Sequence, residues 1–267
     1  TSTLFPGHDL FEQNTKNIHS MSDIYRHTMQ YMIYISQLFL YQETMGQMDI
    51  NLRKTIQSDI FDYQALSDAL KEYASPRDKI SDLLKKKIIV RIKKGLYVFG
   101  ETLRQNPVPR ELLANLIYGP SYVSLDYALH FHGFVPERSE ALTSVCLGRS
   151  RKFSTPFGLF LYRSIPASAY NTGMLRIETE SERAFLMAAP DKALADKIVM
   201  ERGTPISTQK EMLAFLTEDL RVDPGILHSL DSRRITDFAY AFRSRKLRLL
   251  SALIKRLQHN NQETSHE

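Results

Sequence analysis

The spacing of apolar residues predicts three helices between residues 49 and 87. A weak helical pattern covers residues 52–57, and a clearer helix begins after Asp62, a good N-cap, and ends near Ala74. The apolar stripe of that helix comprises Leu66, Leu70 and Tyr73. A third helix is expected from Ser75-Pro76, because serine can cap free N–H groups and proline fits the first helical turn. Its inward face is formed by Ile80, Leu83 and Leu84.

The period of the apolar pattern then changes from about 3.6 residues to about 2 residues. β-Branched residues dominate residues 88–92, and a second apolar run covers residues 96–99. Gly95 lies between the two runs and supplies the positive φ of a short turn, which predicts a β-hairpin. Three helices followed by a hairpin is the order of a winged helix-turn-helix domain, which we assign to residues 49–104.

Two prolines, Pro107 and Pro109, mark a predicted domain boundary, because their spacing excludes both a helix interior and a central strand. Beyond them, residues 110–258 mix predicted helices and strands. Helices are expected at residues 110–117, after Ser124, from Pro190, at the capping box of residues 208–211 and after Asp223. Strands are expected at residues 141–147, 157–165, 174–177 and 183–187.

A long basic helix is predicted for residues 233–258, and residues 259–267 form a polar tail. The expected fold class is therefore α+β. An N-terminal winged helix-turn-helix domain precedes a mixed α/β C-terminal domain at residues 110–258, which ends in the basic helix.

Residues 1–48 are treated as an N-terminal extension whose status stays open. Their most apolar window, residues 29–41, has only about 13 residues, whereas a membrane span needs about 20. No signal-peptide pattern precedes it. The remaining interpretations are an additional packing helix and an extension that is not native, so no membrane association is expected.

Composition and motifs argue against an enzyme, a cofactor and a metal site. The 267 residues are 43% hydrophobic and 24% charged, as in ordinary folded proteins. The single cysteine, Cys146, forms no internal disulfide, which favours the cytoplasm, and its apolar surroundings favour a core position. His130 and His132 point to different sides of a helix and are expected to be structural. No phosphate-binding glycine loop or known catalytic motif occurs, so no catalytic residue is predicted.

Positive charge is concentrated between residues 77 and 94, which contain eight basic residues and only two acidic ones. A helix in the major groove needs outward polar side chains, and a hairpin tip needs cations for the flanking phosphates. The candidates near base edges are Arg77, Asp78, Ser81 and Lys85, and Lys79 belongs to the same helix. The candidate phosphate contacts are Lys86, Arg91, Lys93 and Lys94. The alternative is a winged helix that binds only proteins.

A second basic segment is the predicted C-terminal helix, with eight basic residues and one acidic residue between residues 233 and 258. Such a helix can contact phosphates, an acidic partner or a membrane surface, or can simply be solvated. The candidate phosphate or partner contacts are Arg243, Arg245, Lys246 and Arg248.

Three segments together resemble the AbiEi-type antitoxins, the regulatory halves of type IV toxin-antitoxin systems. They are RIKKGLY at residues 91–97, SYVSLDYALHFHG at residues 121–133 and APDKALAD at residues 189–196. The resemblance runs from about residue 60 to about residue 256. The first 50 or so residues do not match the family, and Asp191 stands where glutamate is more usual.

The resemblance implies a transcriptional autorepressor that binds inverted repeats in its own promoter as pairs of molecules. It also implies that the C-terminal domain opposes a nucleotidyltransferase-like toxin encoded nearby, with or without a stable complex. Asp191 at the helix start complements the positive helix end, so the third segment is interpreted as specifying the fold. The alternative function is a protein-interaction module that neutralises its partner directly without binding DNA.

Overall fold

The computed structural model describes residue 26 and residues 28–35, 51–178 and 183–264, which fall into two compact units divided after residue 57. In the first unit, residues 28–35 and 51–55 are helical. This confirms a helix within the apolar window. The described side chains of residues 28–35 are exposed. Residues 36–41 of that window lie outside the described residues.

The second unit begins with a three-stranded antiparallel sheet and two helices. In chain order they are β1 (Ile60–Asp62), α1 (Tyr63–Ala69), α2 (Pro76–Lys85), β2 (Ile89–Lys93) and β3 (Leu96–Phe99). β3 is the central strand, because Val98 pairs with Ile60 of β1 and with Val90 of β2. Gly95 has φ +85° in the turn between β2 and β3, which confirms the hairpin.

Two details of α1 and α2 differ from the sequence predictions. α1 starts as expected, since the Asp62 side chain accepts a hydrogen bond from the Ala65 N–H at 2.8 Å. It ends at Ala69 instead of Ala74, and Tyr73 is exposed. Pro76 occupies the first turn of α2 and Ser75 is its N-cap residue, but the Ser75 side chain accepts no backbone N–H and instead donates to the Asp78 carboxylate at 2.6 Å.

A six-stranded mixed sheet forms the centre of the rest of the unit. Its strands are β4 (Ser121–Val123), β5 (Leu142–Cys146), β6 (Arg151–Thr155), β7 (Gly158–Ser164), β8 (Met174–Glu178) and β9 (Ala184–Ala188), in the order β6-β7-β5-β4-β9-β8. β5 runs parallel to β7, and β4 runs parallel to β9. The short β1 and β4 and the polar edge strand β6 were not predicted.

Helices cover both faces of this sheet. They are α3 (Arg110–Ile117), α4 (Leu125–Phe131), α5 (Ala167–Tyr170), α6 (Pro190–Met200), α7 (Gln209–Ala214), α8 (Pro224–Leu227), α9 (Ser232–Phe242) and α10 (Arg245–Thr264). α3 lies on one face, where the Tyr162 hydroxyl donates to the Ala114 carbonyl at 2.6 Å. α4 and α6 lie on the other, and α9 and α10 pack against α6. The capping box of Thr208 and Glu211 is confirmed.

The prediction of a single long C-terminal helix is wrong, because α9 and α10 are separate helices. Arg243 adopts φ +52°, and the Ser244 N–H donates to the Ala239 carbonyl at 3.0 Å, which closes α9. The apolar spacing does not reveal this break, since Leu247, Leu250 and Leu253 continue a helical pattern beyond it. The residue in the left-handed conformation, Arg243, is not a glycine, so the sequence gives no signal that the helix ends there.

The structure is a mixed α/β protein, and one hydrophobic cluster runs through both sheets of the second unit. Val98 of the first sheet and Leu113 and Val145 of the larger part are all completely buried in it. The predicted boundary segment, residues 105–109, lies between β3 and α3. It is held by the buried Asp59 carboxylate, which accepts from the N–H groups of Gln105 and Asn106 at 3.1 Å each. In the described part of the chain, none of the helices combines the length and apolarity needed to cross a membrane.

A buried ion pair connects α6 to the larger sheet. Lys192 and Asp196, one helical turn apart, are both 0% exposed, and the lysine ammonium donates to the aspartate. The other Asp196 oxygen accepts from the Ser124 hydroxyl at 2.7 Å and from the Tyr122 hydroxyl at 3.1 Å. Burial raises the pKa of Asp196 and lowers that of Lys192, since each charged form loses hydration.

Aromatic rings enclose the Lys192 ammonium. It lies 4.5 Å from the ring centre of Phe242 and 5.6 Å from that of Phe238, both on α9. Gly173, just before β8, has φ +76°, and a Cβ there would lie 2.8 Å from Lys192 Cβ. The ion pair therefore fixes the packing of β4, α6, α9 and the start of β8 around one side chain.

We expect Lys192→Met to lower the free energy of unfolding by about 3 kcal/mol or more, because it leaves the Asp196 charge buried without its partner. Asp196→Asn should also be strongly destabilising, although it keeps an acceptor for Ser124 and Tyr122. The double variant removes both charges and should cost less than the sum of the two single changes. Urea unfolding of the four proteins measures this coupling, and strictly additive losses would contradict it.

Candidate nucleic-acid interface

The outer face of α2 carries four of the predicted base-contacting residues. Ile80 and Leu83 are buried beneath the helix, which turns the opposite face to solvent. The side chains on that exposed face are Arg77, Asp78, Ser81 and Lys85. The apolar stripe of α2 thus fixes which polar side chains are available to a ligand.

Several polar groups of α2 interact within the helix and its approach. The Ser81 hydroxyl donates to the Arg77 carbonyl at 3.2 Å, and Lys86 pairs with Asp82 at 2.9 Å. The Lys79 ammonium lies 5.3 Å from the ring centre of Tyr73 and 3.9 Å from Asp82. Among the described residues, the guanidinium of Arg77 and the ammonium of Lys85 have no ion-pair partner. These two cations are the ones that α2 leaves open to a ligand.

The β2–β3 hairpin places its three predicted phosphate contacts in different surroundings. Arg91 and Lys94 are exposed, whereas Lys93 is half-buried and donates to the Ile117 carbonyl at 2.6 Å. Burial lowers the pKa of Lys93. Lys93 therefore joins the hairpin to the C-terminal end of α3, where free carbonyl groups attract cations. Only Arg91 and Lys94 project from the hairpin.

The C-terminal basic residues are divided in a similar way. Arg243 closes α9, and Arg245 and Arg248 lie on the first turn of α10; all three side chains are exposed. Lys246 is half-buried, and its ammonium donates to the Glu201 carbonyl at the end of α6, at 3.0 Å. Lys246 thus links α10 to α6, while the three arginines face solvent.

Residues with potential for other chemistry have structural partners. His132 Nε2 lies 2.8 Å from the Ala188 carbonyl oxygen, and His130 Nδ1 lies 3.4 Å from that of Val135. Cys146 is completely buried in β5, and burial raises the pKa of its thiol. Over the described ranges, no group of three or more histidine, cysteine or acidic residues is arranged to hold a metal ion.

Comparison of the chain with protein-family models found no match, and comparison with curated proteins found none either. The three segments of the antitoxin resemblance fall on the β2–β3 hairpin, on β4 with α4, and on the start of α6. The last two segments meet at the Asp196 carboxylate. The burial of Asp191, Lys192 and Asp196 agrees with the interpretation that this segment specifies the fold.

Sequence reasoning missed two arrangements of charge. The first is the Lys192–Asp196 pair, for which the signal was available as an i,i+4 pair of opposite charges flanking the apolar residues 193–195. The second is a cleft that brings Arg163 and Arg202 together. These residues are far apart in sequence and belong to no motif, so only the tertiary structure reveals them.

Lys93→Ala and Lys94→Ala should differ in their effect on stability. We expect Lys93→Ala to lower the free energy of unfolding by about 1 kcal/mol, because a charge-assisted hydrogen bond to Ile117 is lost at a half-buried site. Lys94→Ala should change it by less than about 0.5 kcal/mol, since that side chain is exposed. Urea unfolding of both variants tests this, and equal effects would contradict the assignment of Lys93 to the fold.

Proposed function

We propose that the protein is a transcriptional autorepressor that binds operator DNA through a winged helix-turn-helix domain. The proposal is carried by one observation: exposed cations lie on the two elements, α2 and the β2–β3 hairpin, that a winged helix would present to DNA. The order β1-α1-α2-β2-β3, with β3 central, supports a winged helix in which α2 would be the recognition helix. The exposed face of α2 and the hairpin carry the exposed cations Arg77, Lys85, Arg91 and Lys94.

The chemistry of this surface suits a division between base and phosphate contacts. Arginine can donate two hydrogen bonds to guanine, and Asp78 and Ser81 add short polar groups on the same face of α2. Arg91 and Lys94 on the hairpin suit the flanking phosphates, which fix orientation but carry little sequence information. Lys86 and Lys93 are assigned smaller roles than the sequence suggested, because both have partners within the protein.

The antitoxin role rests on the resemblance of the three segments. In this proposal, residues 110–258 oppose a nucleotidyltransferase-like toxin encoded nearby, and pairs of molecules occupy inverted half-sites in the promoter. The buried signature on α6 supplies the fold of this region, so toxin antagonism falls to the exposed surface around it. The second candidate, a protein-interaction module that uses α2 and the hairpin as a docking surface, is an outcome of the tests below.

Arg77→Ala and Lys94→Ala should affect DNA binding differently. We expect Arg77→Ala to reduce the preference for the promoter, because a base contact is worth about 1–3 kcal/mol of discrimination. Lys94→Ala should weaken binding to all sequences alike and reduce the salt slope by about one. Fluorescence anisotropy at several salt concentrations measures both quantities.

Lys210→Ala is the matched control, since Lys210 is an exposed lysine on α7, outside α2 and the hairpin. It should bind the promoter as the wild type does. Identical losses of specificity for Arg77→Ala and Lys94→Ala would contradict the division of labour. Unchanged binding by both variants would favour the protein-interaction module.

Toxin antagonism should not depend on DNA binding. We expect the double variant Arg77→Ala with Lys94→Ala to restore growth of cells that express the neighbouring gene product as well as the wild type does. The same variant should fail to repress a reporter under the upstream promoter. Loss of growth protection together with repression would contradict a separate antitoxin surface.

A further inference from the structure

A polar cleft lies where the ends of β7 and α6 meet the start of α4. None of its lining residues belongs to α2 or to the hairpin. Its volume is about 500 Å³, within the range of small-molecule sites. The end of β7 contributes Arg163 and Ser164, and the end of α6 with the residues that follow contributes Lys197, Glu201 and Arg202. Ser150 and the start of α4 complete the lining.

The two acidic groups of the cleft share one lysine. Lys197 Nζ lies 2.8 Å from a carboxylate oxygen of Asp126 and 3.7 Å from one of Glu201. Arg163 and Arg202, in contrast, make no ion pair with any residue that the structure describes, and both are exposed. The lining thus has three cations, Arg163, Lys197 and Arg202, against two carboxylates, and the two arginines are not engaged by either carboxylate.

Two serine hydroxyls also line the cleft. The Ser150 hydroxyl oxygen accepts from the Ser164 N–H at 3.1 Å, which leaves its own proton available as a donor. Ser164 supplies a second hydroxyl. Two guanidinium groups and two hydroxyls supply the kind of hydrogen-bond donors that a phosphate group accepts from.

The backbone at the rim of the cleft is strained. Leu125, a lining residue at the start of α4, has φ +62° although it is not glycine and is only 5% exposed. Such conformations are costly and are concentrated at ligand sites. Lys87, Arg221 and Arg243 adopt the same conformation outside this cleft, so the strain at Leu125 does not by itself mark a ligand site.

We propose that this cleft binds a small molecule that carries a phosphate or polyphosphate group. Arg163 and Arg202 hold the phosphate oxygens, and the hydroxyls of Ser150 and Ser164 add hydrogen bonds. The apolar contribution to the lining is limited to Leu125 and Met200, so recognition depends on the phosphate more than on an aromatic base. The concave shape suits a free ligand better than a duplex.

Isothermal titration of the purified protein with inorganic pyrophosphate and with ATP tests this proposal. We expect both ligands to bind at about 1 mM or below. Arg163→Gln and Arg202→Gln should each weaken binding about tenfold or more, because each removes a charge-assisted contact. Far-UV circular dichroism and the thermal midpoint verify that both variants fold.

Arg256→Gln is the matched control, since Arg256 is an exposed arginine of α10 outside the lining of the cleft. It should bind both ligands as the wild type does. Absence of binding by the wild type, or equal binding by wild type and both cleft variants, would overturn the proposal. Loss of promoter affinity without loss of pyrophosphate binding in the cleft variants would also overturn it, by assigning these arginines to DNA.

Discussion

The ion pair between Lys192 and Asp196 is the constraint around which the larger part of the molecule is arranged. Neither charge has access to water, so each depends on its surroundings. β4 supplies the Tyr122 and Ser124 hydroxyls, and α9 supplies the rings of Phe238 and Phe242. An apolar pair of similar volume could fill the same space, but it would not require these hydroxyls and rings to adopt one arrangement. We therefore interpret the pair as a device that selects a single packing of α6 against β4 and α9.

The proposed DNA-binding surface is joined to this scaffold by polar contacts and by the continuous hydrophobic cluster. Lys93 binds the end of α3, and Asp59 holds the segment that leads from β3 to α3. These contacts tie the hairpin and the segment after it to α3 and to Asp59, while Arg91 and Lys94 remain exposed. The lysine that bonds within the fold and the cations proposed to meet DNA are therefore different residues, although they are neighbours in the sequence.

Local sequence signals predicted much of the fold. The Asp62 cap, the Gly95 turn, the helix α3 and the capping box at Thr208 all rest on short-range chemistry, and each is found in the structure. Three features escaped because their causes are tertiary. The strands β1 and β4 have only three residues each, the polar edge strand β6 pairs on one side only, and the Arg243 break lacks a glycine or proline. For the candidate interface, the charge and the periodicity of apolar residues in the sequence pointed to α2 and the hairpin. Only the contacts in the structure show that Lys93 bonds within the protein whereas Lys94 is exposed.

The most direct test of operator binding is a fluorescence-anisotropy titration of the purified protein on its own upstream promoter fragment and on a scrambled fragment. Each titration is performed at two salt concentrations. The account predicts a preference of about 10³ or more for the promoter, with affinity that falls steeply as salt rises. Equal and weak binding to both fragments would contradict it, and the exposed face of α2 would then have to serve a protein partner.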